Sequence, residues 1–166
     1  MSVLGKRVLV LGGGGAGIGR AIVRQLGSSG ASVAVADLGQ DRAEEAAHEL
    51  VELGQTAWPV WGDVRSVDDL DSMTRGAAEA FGGIDALVTV VGGQVAFVPA
   101  VKTHEMTDED WDTVYNINLR YVARAVRRVL PMFLEQGAPD PPRGLRAPRR
   151  RLLRPCTAGR GPDPSR

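Results

Sequence analysis

VLVLGGGGAGIGR, the sequence of residues 8–20, joins an apolar run, six closely spaced glycines and the start of a helical pattern. The glycines fit two spacings, G-x-G-x-x-G at Gly12, Gly14 and Gly17, and G-x-x-x-G-x-G at Gly13, Gly17 and Gly19. Because glycine has no side chain, an anion can approach the backbone closely here. A helix that begins at this point aims unpaired N–H groups and its positive dipole end at that anion. The stretch therefore predicts a phosphate-binding turn; a tight glycine turn without a ligand is the alternative.

An aspartate follows at the distance that a dinucleotide site requires. Asp37 ends the second apolar run, 20 residues after Gly17, where a carboxylate can accept hydrogen bonds from an adenosine ribose. Its charge would repel the 2′-phosphate of NADP and no Arg or Lys follows it immediately, so the sequence predicts NAD rather than NADP. A solvated carboxylate at the strand end is the alternative. Arg20, just past the turn, is either part of the site or an exposed helix residue.

Apolar runs alternate with helical patterns over residues 1–137, which we predict to form one domain. Strands are predicted at 7–11, 31–36, 56–61 and 84–91, and helices at 17–29, 41–53, 66–81 and 107–137. Capping boxes are predicted for Ser66 with Asp69 and for Thr107 with Asp110. Because the strands are continuously apolar rather than alternating, they indicate a parallel sheet covered on both faces. The predicted fold is α/β, a Rossmann-like doubly wound sheet that is truncated after about four strands.

Five landmarks in order make this chain resemble the N-terminal half of a classical short-chain dehydrogenase/reductase. They are the glycine run, Asp37, Asp63-Val64, the strand end TVVG at 89–92, and WDTVYNIN at 111–118. The resemblance spans residues 5–137. It implies hydride transfer between a nicotinamide cofactor and a small-molecule alcohol or carbonyl substrate.

The resemblance also implies roles for individual residues. Gly13, Gly17 and Gly19 would form the phosphate loop, and Ile18 would flank the nicotinamide side. Asp37 would bind the ribose, and Asp63 with Val64 would bound the adenine. Thr89-Val90-Val91-Gly92 stands in place of the family's Asn-Asn-Ala-Gly, so Gly92 matches the pattern. The Thr89 hydroxyl can supply part of the missing amide hydrogen bonding, whereas Val90 and Val91 cannot. Asn118 matches a helix asparagine that helps to hold the water and lysine of the family's proton relay.

The family's catalytic tyrosine-lysine pair is missing from this sequence. The only lysines are Lys6 and Lys102, and the two tyrosines are followed four residues later by Leu119 and Ala125. A tyrosine without a nearby ammonium keeps a pKa near about 10 and is a poor base at neutral pH. The sequence therefore predicts an oxidoreductase of this family that is catalytically incomplete as written. A non-catalytic dinucleotide-binding remnant and a truncated gene product without function are the alternatives.

Residues 138–166 differ in composition from the rest of the chain. They contain 8 arginines and 2 aspartates, whereas residues 1–137 carry 12 basic and 18 acidic residues, although the whole chain is formally neutral. The absence of any hydrophobic periodicity predicts a disordered Arg/Pro-rich tail, and a frameshift in a GC-rich gene is the favoured explanation. No aromatic residue interleaves with the arginines, so nucleic-acid binding is not predicted.

The remaining features concern location and association. The single cysteine, Cys156, and the lack of a long apolar stretch predict a cytoplasmic protein without a membrane span. Neither His48 nor His104 has a second ligand at metal-binding spacing, so no metal site is expected. In the family's strand order the strand at 84–91 would form an exposed apolar edge of the part encoded here, which predicts a homo-oligomer or an aggregation-prone chain.

Overall fold

A four-stranded parallel sheet forms the centre of the computed structural model, which describes residues 2–93 and 100–137. The strands are β1 (Arg7–Leu11), β2 (Ser32–Asp37), β3 (Ala57–Trp61) and β4 (Ala86–Thr89). Their order is β3-β2-β1-β4, with every neighbouring pair parallel. This confirms the predicted Rossmann-like sheet, in which the chain order reverses on either side of β1. The segment 138–166 lies outside the described residues.

The first three helices connect successive strands, as a parallel sheet requires, and the last two follow β4. They are α1 (Ile18–Ser28), α2 (Gln40–Glu52), α3 (Val67–Phe81), α4 (Asp108–Tyr115) and α5 (Tyr121–Glu135), with a short 3₁₀ turn at Thr103–Glu105. Within the described ranges, no helix has the length and apolar character needed to cross a membrane.

The continuous apolar strands are explained by two separate layers of side chains. In β1, Val8 and Val10 pack with Val23 of α1 and Leu50 of α2 on one face. The alternate residues, among them Leu9, pack on the other face against residues of α3 and α5. Since successive strand residues point to opposite faces, a strand covered on both sides needs apolar residues at every position.

One of the two predicted capping boxes forms completely. Thr107 accepts from the Asp110 amide, and the Asp110 carboxylate accepts from the Thr107 amide. At α3 only half of the box forms, because Ser66 accepts from the Asp69 amide while the Asp69 carboxylate accepts from the Asp63 amide at 2.9 Å. The prediction of a full box at Ser66 was therefore wrong. Asp69 instead fixes the turn that follows β3.

The long helix predicted at 107–137 is interrupted by a wider turn. Residues Asn116–Arg120 form a π-helical segment between α4 and α5. Such single wide turns inside a helix frequently occur at functional sites. Here the segment contains Asn118, whose side chain reaches the end of β4.

Candidate functional site

A cleft lies at the carboxyl ends of the strands, beside the central strand β1. Its walls include Gly12 after β1, Asp37 at the end of β2, Asp63 and Val64 after β3, and Gly92 after β4. In doubly wound sheets this position, where the strand order reverses, is where ligands bind. Four of the predicted site residues, Asp37, Asp63, Val64 and Gly92, therefore lie on one cleft.

The glycine turn presents backbone donors next to this cleft. The amides of Gly12 and Gly13 both donate to the Ala36 carbonyl oxygen, at 2.8 and 2.9 Å, which ties the turn to β2. For the amides of residues 14–17 no acceptor is found in the described part of the chain. Helix α1 then begins at Ile18 without a side-chain cap. N–H groups of this kind, together with the positive end of a helix dipole, can bind an anion.

The glycines of the turn are required for different reasons. A β-carbon on Gly19 would lie 1.9 Å from the Gly12 carbonyl oxygen, and one on Gly13 would lie 2.8 Å from a methyl of Val23. Gly12 itself has a φ of +92°, in the region that favours glycine. A β-carbon on Gly17 would meet nothing within 4 Å. Gly13 and Gly19 are therefore needed for packing, whereas Gly17 leaves open space outside the turn.

Asp37 has a basic partner that its sequence neighbours do not reveal. Its side chain is only 10% exposed, and its Oδ1 accepts from Arg42 Nε and Nη2 at 2.8 and 2.6 Å and from the Gly39 amide at 3.1 Å. No donor to Oδ2 is present among the residues described. Arg42 stands in the first turn of α2, on the wall of the cleft. No basic residue immediately follows Asp37 in the sequence, but the fold brings Arg42 onto its carboxylate.

Asp63 is also paired with an arginine. Its two carboxylate oxygens accept from the Arg65 guanidinium at 2.6–3.0 Å, and Oδ1 accepts from the Arg65 amide as well. The Arg65 side chain and amide lower the pKa of Asp63, although partial burial opposes them. A ligand amino group at this carboxylate would have to share it with Arg65. Val64 beside it is 6% exposed and supplies an apolar wall.

Asn118 ties the end of β4 to the long helix. Its Nδ2 donates to the carbonyl oxygens of Gly93 and Val114, each at 2.8 Å, and its Oδ1 accepts from the Gly93 amide at 2.9 Å. A β-carbon on Gly92 would lie 2.7 Å from this Oδ1, so a larger residue there would displace the Asn118 side chain. In this arrangement Asn118 holds the backbone on the cleft wall.

Tyr121 stabilises the same strand end from inside the protein. It is 1% exposed, and its hydroxyl donates to the Val91 carbonyl oxygen at 2.7 Å. Burial raises the pKa of Tyr121, and a hydrogen bond with Thr89 partly offsets this effect. Thr89 does not line the cleft, and Ile18 is 74% exposed at the start of α1. The structure thus places neither of these two predicted site residues on the cleft wall.

Sequence reasoning missed three contributors, Arg42, Arg65 and Tyr121. The spacing of Tyr121, Ala125 and Val129 along one face of α5 would have indicated a buried tyrosine. The two arginines carry no comparable signal, because arginines near helix starts are common on exposed surfaces.

A family model described as short chain dehydrogenase matches residues 6–139. The chain belongs to this family of oxidoreductases, whose members act on small molecules. It is 33% identical over 135 residues to a 3beta-hydroxysteroid dehydrogenase 2 of Eggerthella lenta, covering 81% of this chain and 51% of the relative.

Solved structures of similar proteins agree with this assignment. A hydroxysteroid dehydrogenase from Escherichia coli superposes with a TM-score of 0.73 at 29% identity, covering 82% of this chain and 55% of that one. A 7 alpha-hydroxysteroid dehydrogenase complexed with NADH and 7-oxo glycochenodeoxycholic acid gives the same TM-score and identity, covering 82% of this chain and 51% of that one. The chain therefore spans about half the length of the proteins it matches.

Proposed function

We propose that this chain supplies the nucleotide-binding part of a dehydrogenase and that its cleft binds NAD. The observation that supports this is the row of amides at residues 14–17, which have no acceptor in the described part of the chain. They lie beside the largely buried carboxylate of Asp37, whose Oδ2 has no donor there. The amides would hold the diphosphate, Asp37 Oδ2 the ribose, and Asp63 with Val64 the adenine. Gly17 fits this arrangement because its outer side is open.

The reaction class follows from the family. When bound, NAD supplies a nicotinamide ring that accepts hydride from an alcohol carbon or returns it to a carbonyl carbon. Residues of this chain would bind and orient the cofactor, and Ile18 would lie on the nicotinamide side. Asn118 would act by holding Gly93 in place at the end of β4.

We propose that the chain as written binds NAD but does not turn over an alcohol. Neither tyrosine has a lysine four residues later, and Tyr121 is buried with its hydroxyl bonded to Val91. General acid-base assistance is typically worth about 10²–10⁴-fold in rate. We expect no detectable NADH formation from a panel of secondary alcohols. The panel includes a 3β-hydroxysteroid, because one of the similar proteins is named a 3beta-hydroxysteroid dehydrogenase. Robust turnover would contradict this proposal.

The choice of cofactor depends on Asp37 and Arg42 together. Two charges about 5 Å apart interact by about 3 kcal/mol at an effective dielectric constant of about 20, so an unpaired Asp37 would strongly disfavour a 2′-phosphate. Arg42 neutralises part of this charge and is 53% exposed at the cleft. We therefore propose a preference for NAD that is moderate rather than absolute.

Calorimetric titration with NAD and NADP tests the site. We expect wild-type protein to bind NAD more tightly, Asp37→Asn to lose about tenfold in NAD affinity, and Arg42→Gln to weaken NADP more than NAD. Asp41→Asn is the matched control, since Asp41 is exposed and does not line the cleft. If the wild-type protein binds neither nucleotide, or if Asp37→Asn binds NAD unchanged, the proposed site is wrong.

We also propose that the chain self-associates. β4 is an edge strand of the described sheet, and α5 exposes Val126, Leu130 and Leu134 at helical spacing. Unpaired strand edges and contiguous apolar faces recruit other chains. Sedimentation velocity should show dimers or larger species at micromolar concentration; a monomer at all concentrations would contradict the proposal.

A further inference from the structure

Arg20 is a buried arginine that connects the glycine turn to two helices. It lies in the first turn of α1 and is 8% exposed. Its Nη1 donates to the Gly14 carbonyl oxygen at 3.0 Å, Nε to Glu49 at 2.9 Å and Nη2 to Glu45 at 2.8 Å. The alternative that Arg20 is an exposed helix residue was therefore wrong. A buried guanidinium needs such partners because burying an unpaired charge is costly.

The bond to Gly14 fixes the direction of the next amide. In a planar trans peptide the C=O of one residue and the N–H of the next point to opposite sides. With the Gly14 carbonyl oxygen held by Arg20, the Gly15 amide must point away from Arg20. This amide has no acceptor among the described residues, and a β-carbon on Gly15 would meet nothing within 4 Å. It is therefore an open donor with a fixed direction.

Helix α2 holds the guanidinium from the other side. Glu45 and Glu49 are four residues apart on α2, so both carboxylates face the same side. Gly14 is also packed tightly, since a β-carbon there would lie 2.8 Å from Cβ of Asp37 and 2.9 Å from the Arg42 carbonyl oxygen. The ion-pair cluster thus links the orientation of the Gly14-Gly15 peptide to the position of α2.

We propose that Arg20 is a positioning residue that presents the Gly15 amide to the diphosphate of the cofactor. This inference rests on the proposed NAD site. It assigns to Arg20 an effect on phosphate binding alone, because the guanidinium does not line the cleft and acts through the peptide that follows Gly14.

Two ligands separate this role from a general structural one. NAD carries the diphosphate, whereas adenosine has the same base and ribose without phosphates. We expect Arg20→Met to lose about tenfold in NAD affinity while adenosine affinity changes less than about twofold. Arg20→Lys keeps the charge but lacks the planar fork that bonds three acceptors. It should therefore lose NAD affinity, but less than Arg20→Met does. Arg24→Met is the matched control, because Arg24 also pairs with Glu49 but makes no bond to the glycine turn.

Hydrogen exchange provides a second readout for the same variants. In Arg20→Met the amides of Gly12 and Gly13, which are bonded to Ala36, should exchange faster, whereas the other amides of β1 and β2 should keep their protection. If Arg20→Met does not fold, Arg20→Lys carries the test with both ligands.

The outcomes are distinct. Equal NAD affinity in the wild-type protein and in folded Arg20 variants would overturn the positioning role while leaving the NAD site intact. Equal losses for NAD and adenosine would also overturn it, because they indicate general loosening. A wild-type protein that binds adenosine but not NAD would overturn both the inference and the proposed function.

Discussion

Two alanine substitutions in the glycine turn should separate folding from cofactor binding. In Gly19→Ala the new methyl carbon would lie 1.9 Å from the Gly12 carbonyl oxygen, whereas real β-carbons essentially never approach closer than 3.0 Å. In Gly17→Ala the methyl would meet nothing within 4 Å, and φ at this residue is −99°. The first change therefore conflicts with the fold, and the second only occupies space outside it.

The magnitudes follow from these distances. Gly19→Ala must move the turn by more than about 1 Å, although Gly12 and Gly13 are both bonded to Ala36. Overpacking of this kind typically costs about 1–3 kcal/mol, so we expect the free energy of unfolding to fall by about 2–3 kcal/mol. Gly17→Ala should change it by less than about 0.5 kcal/mol. If the diphosphate binds at the turn as proposed, the methyl would occupy its place, and NAD affinity should fall by at least about tenfold.

Urea denaturation followed by circular dichroism and calorimetric titration with NAD measure the two effects. Gly76→Ala is the control, because Gly76 lies in helix α3, outside the turn, and its β-carbon would make an ordinary 3.4 Å contact with Val60 of β3. This variant should be as stable as wild type or more stable, and should bind NAD unchanged. Unchanged NAD affinity in Gly17→Ala, or wild-type stability in Gly19→Ala, would refute the reasoning.

Three further predictions concern single contacts. The pKa of Asp85 is lowered from 3.8 to about 2, chiefly by the hydrogen bond from Arg7. The bond therefore stabilises the fold above about pH 4, and this stabilisation is lost as the pH falls toward 2. Asp85→Asn should lower the free energy of unfolding at pH 7 by about 1–2 kcal/mol and reduce the loss of stability between pH 7 and pH 3, as measured by urea denaturation. A loss equal to that of the wild-type protein would contradict this. Tyr121→Phe should cost about 1 kcal/mol in the same assay, because the Val91 carbonyl loses its donor, and an unchanged midpoint would contradict the bond. Asn118→Ala should accelerate amide exchange at residues 90–93, whereas unchanged exchange would show that the side chain does not hold this strand end.

Much of the fold could be predicted because its signals are local. The strands at 7–11 and 57–61 are continuous apolar runs, and Thr107 with Asp110 forms the predicted cap. The errors arose where the structure departs from the local pattern. The Asp69 carboxylate bonds the Asp63 amide instead of completing its own helix cap, and the wide π turn at Asn116–Arg120 has no pattern in the sequence.

The site was predicted less completely for the same reason. Asp37 and Gly17 are marked by their spacing, since the turn and the following strand have a fixed length. The partner of Asp37 is not marked, because only the packing of α2 against the sheet brings the Arg42 guanidinium onto the carboxylate.

The sequence alone determined the order of strands and helices, the parallel arrangement and the glycine turn, because periodicity, glycine spacing and cap residues act over a few neighbouring positions. The tertiary structure alone determined that Arg20 is buried and bonded to Gly14, and that Asn118 and Tyr121 hold the end of β4. These contacts join residues 6 to 30 positions apart. Their partners depend on how the helices pack on the sheet, which no short stretch of sequence specifies.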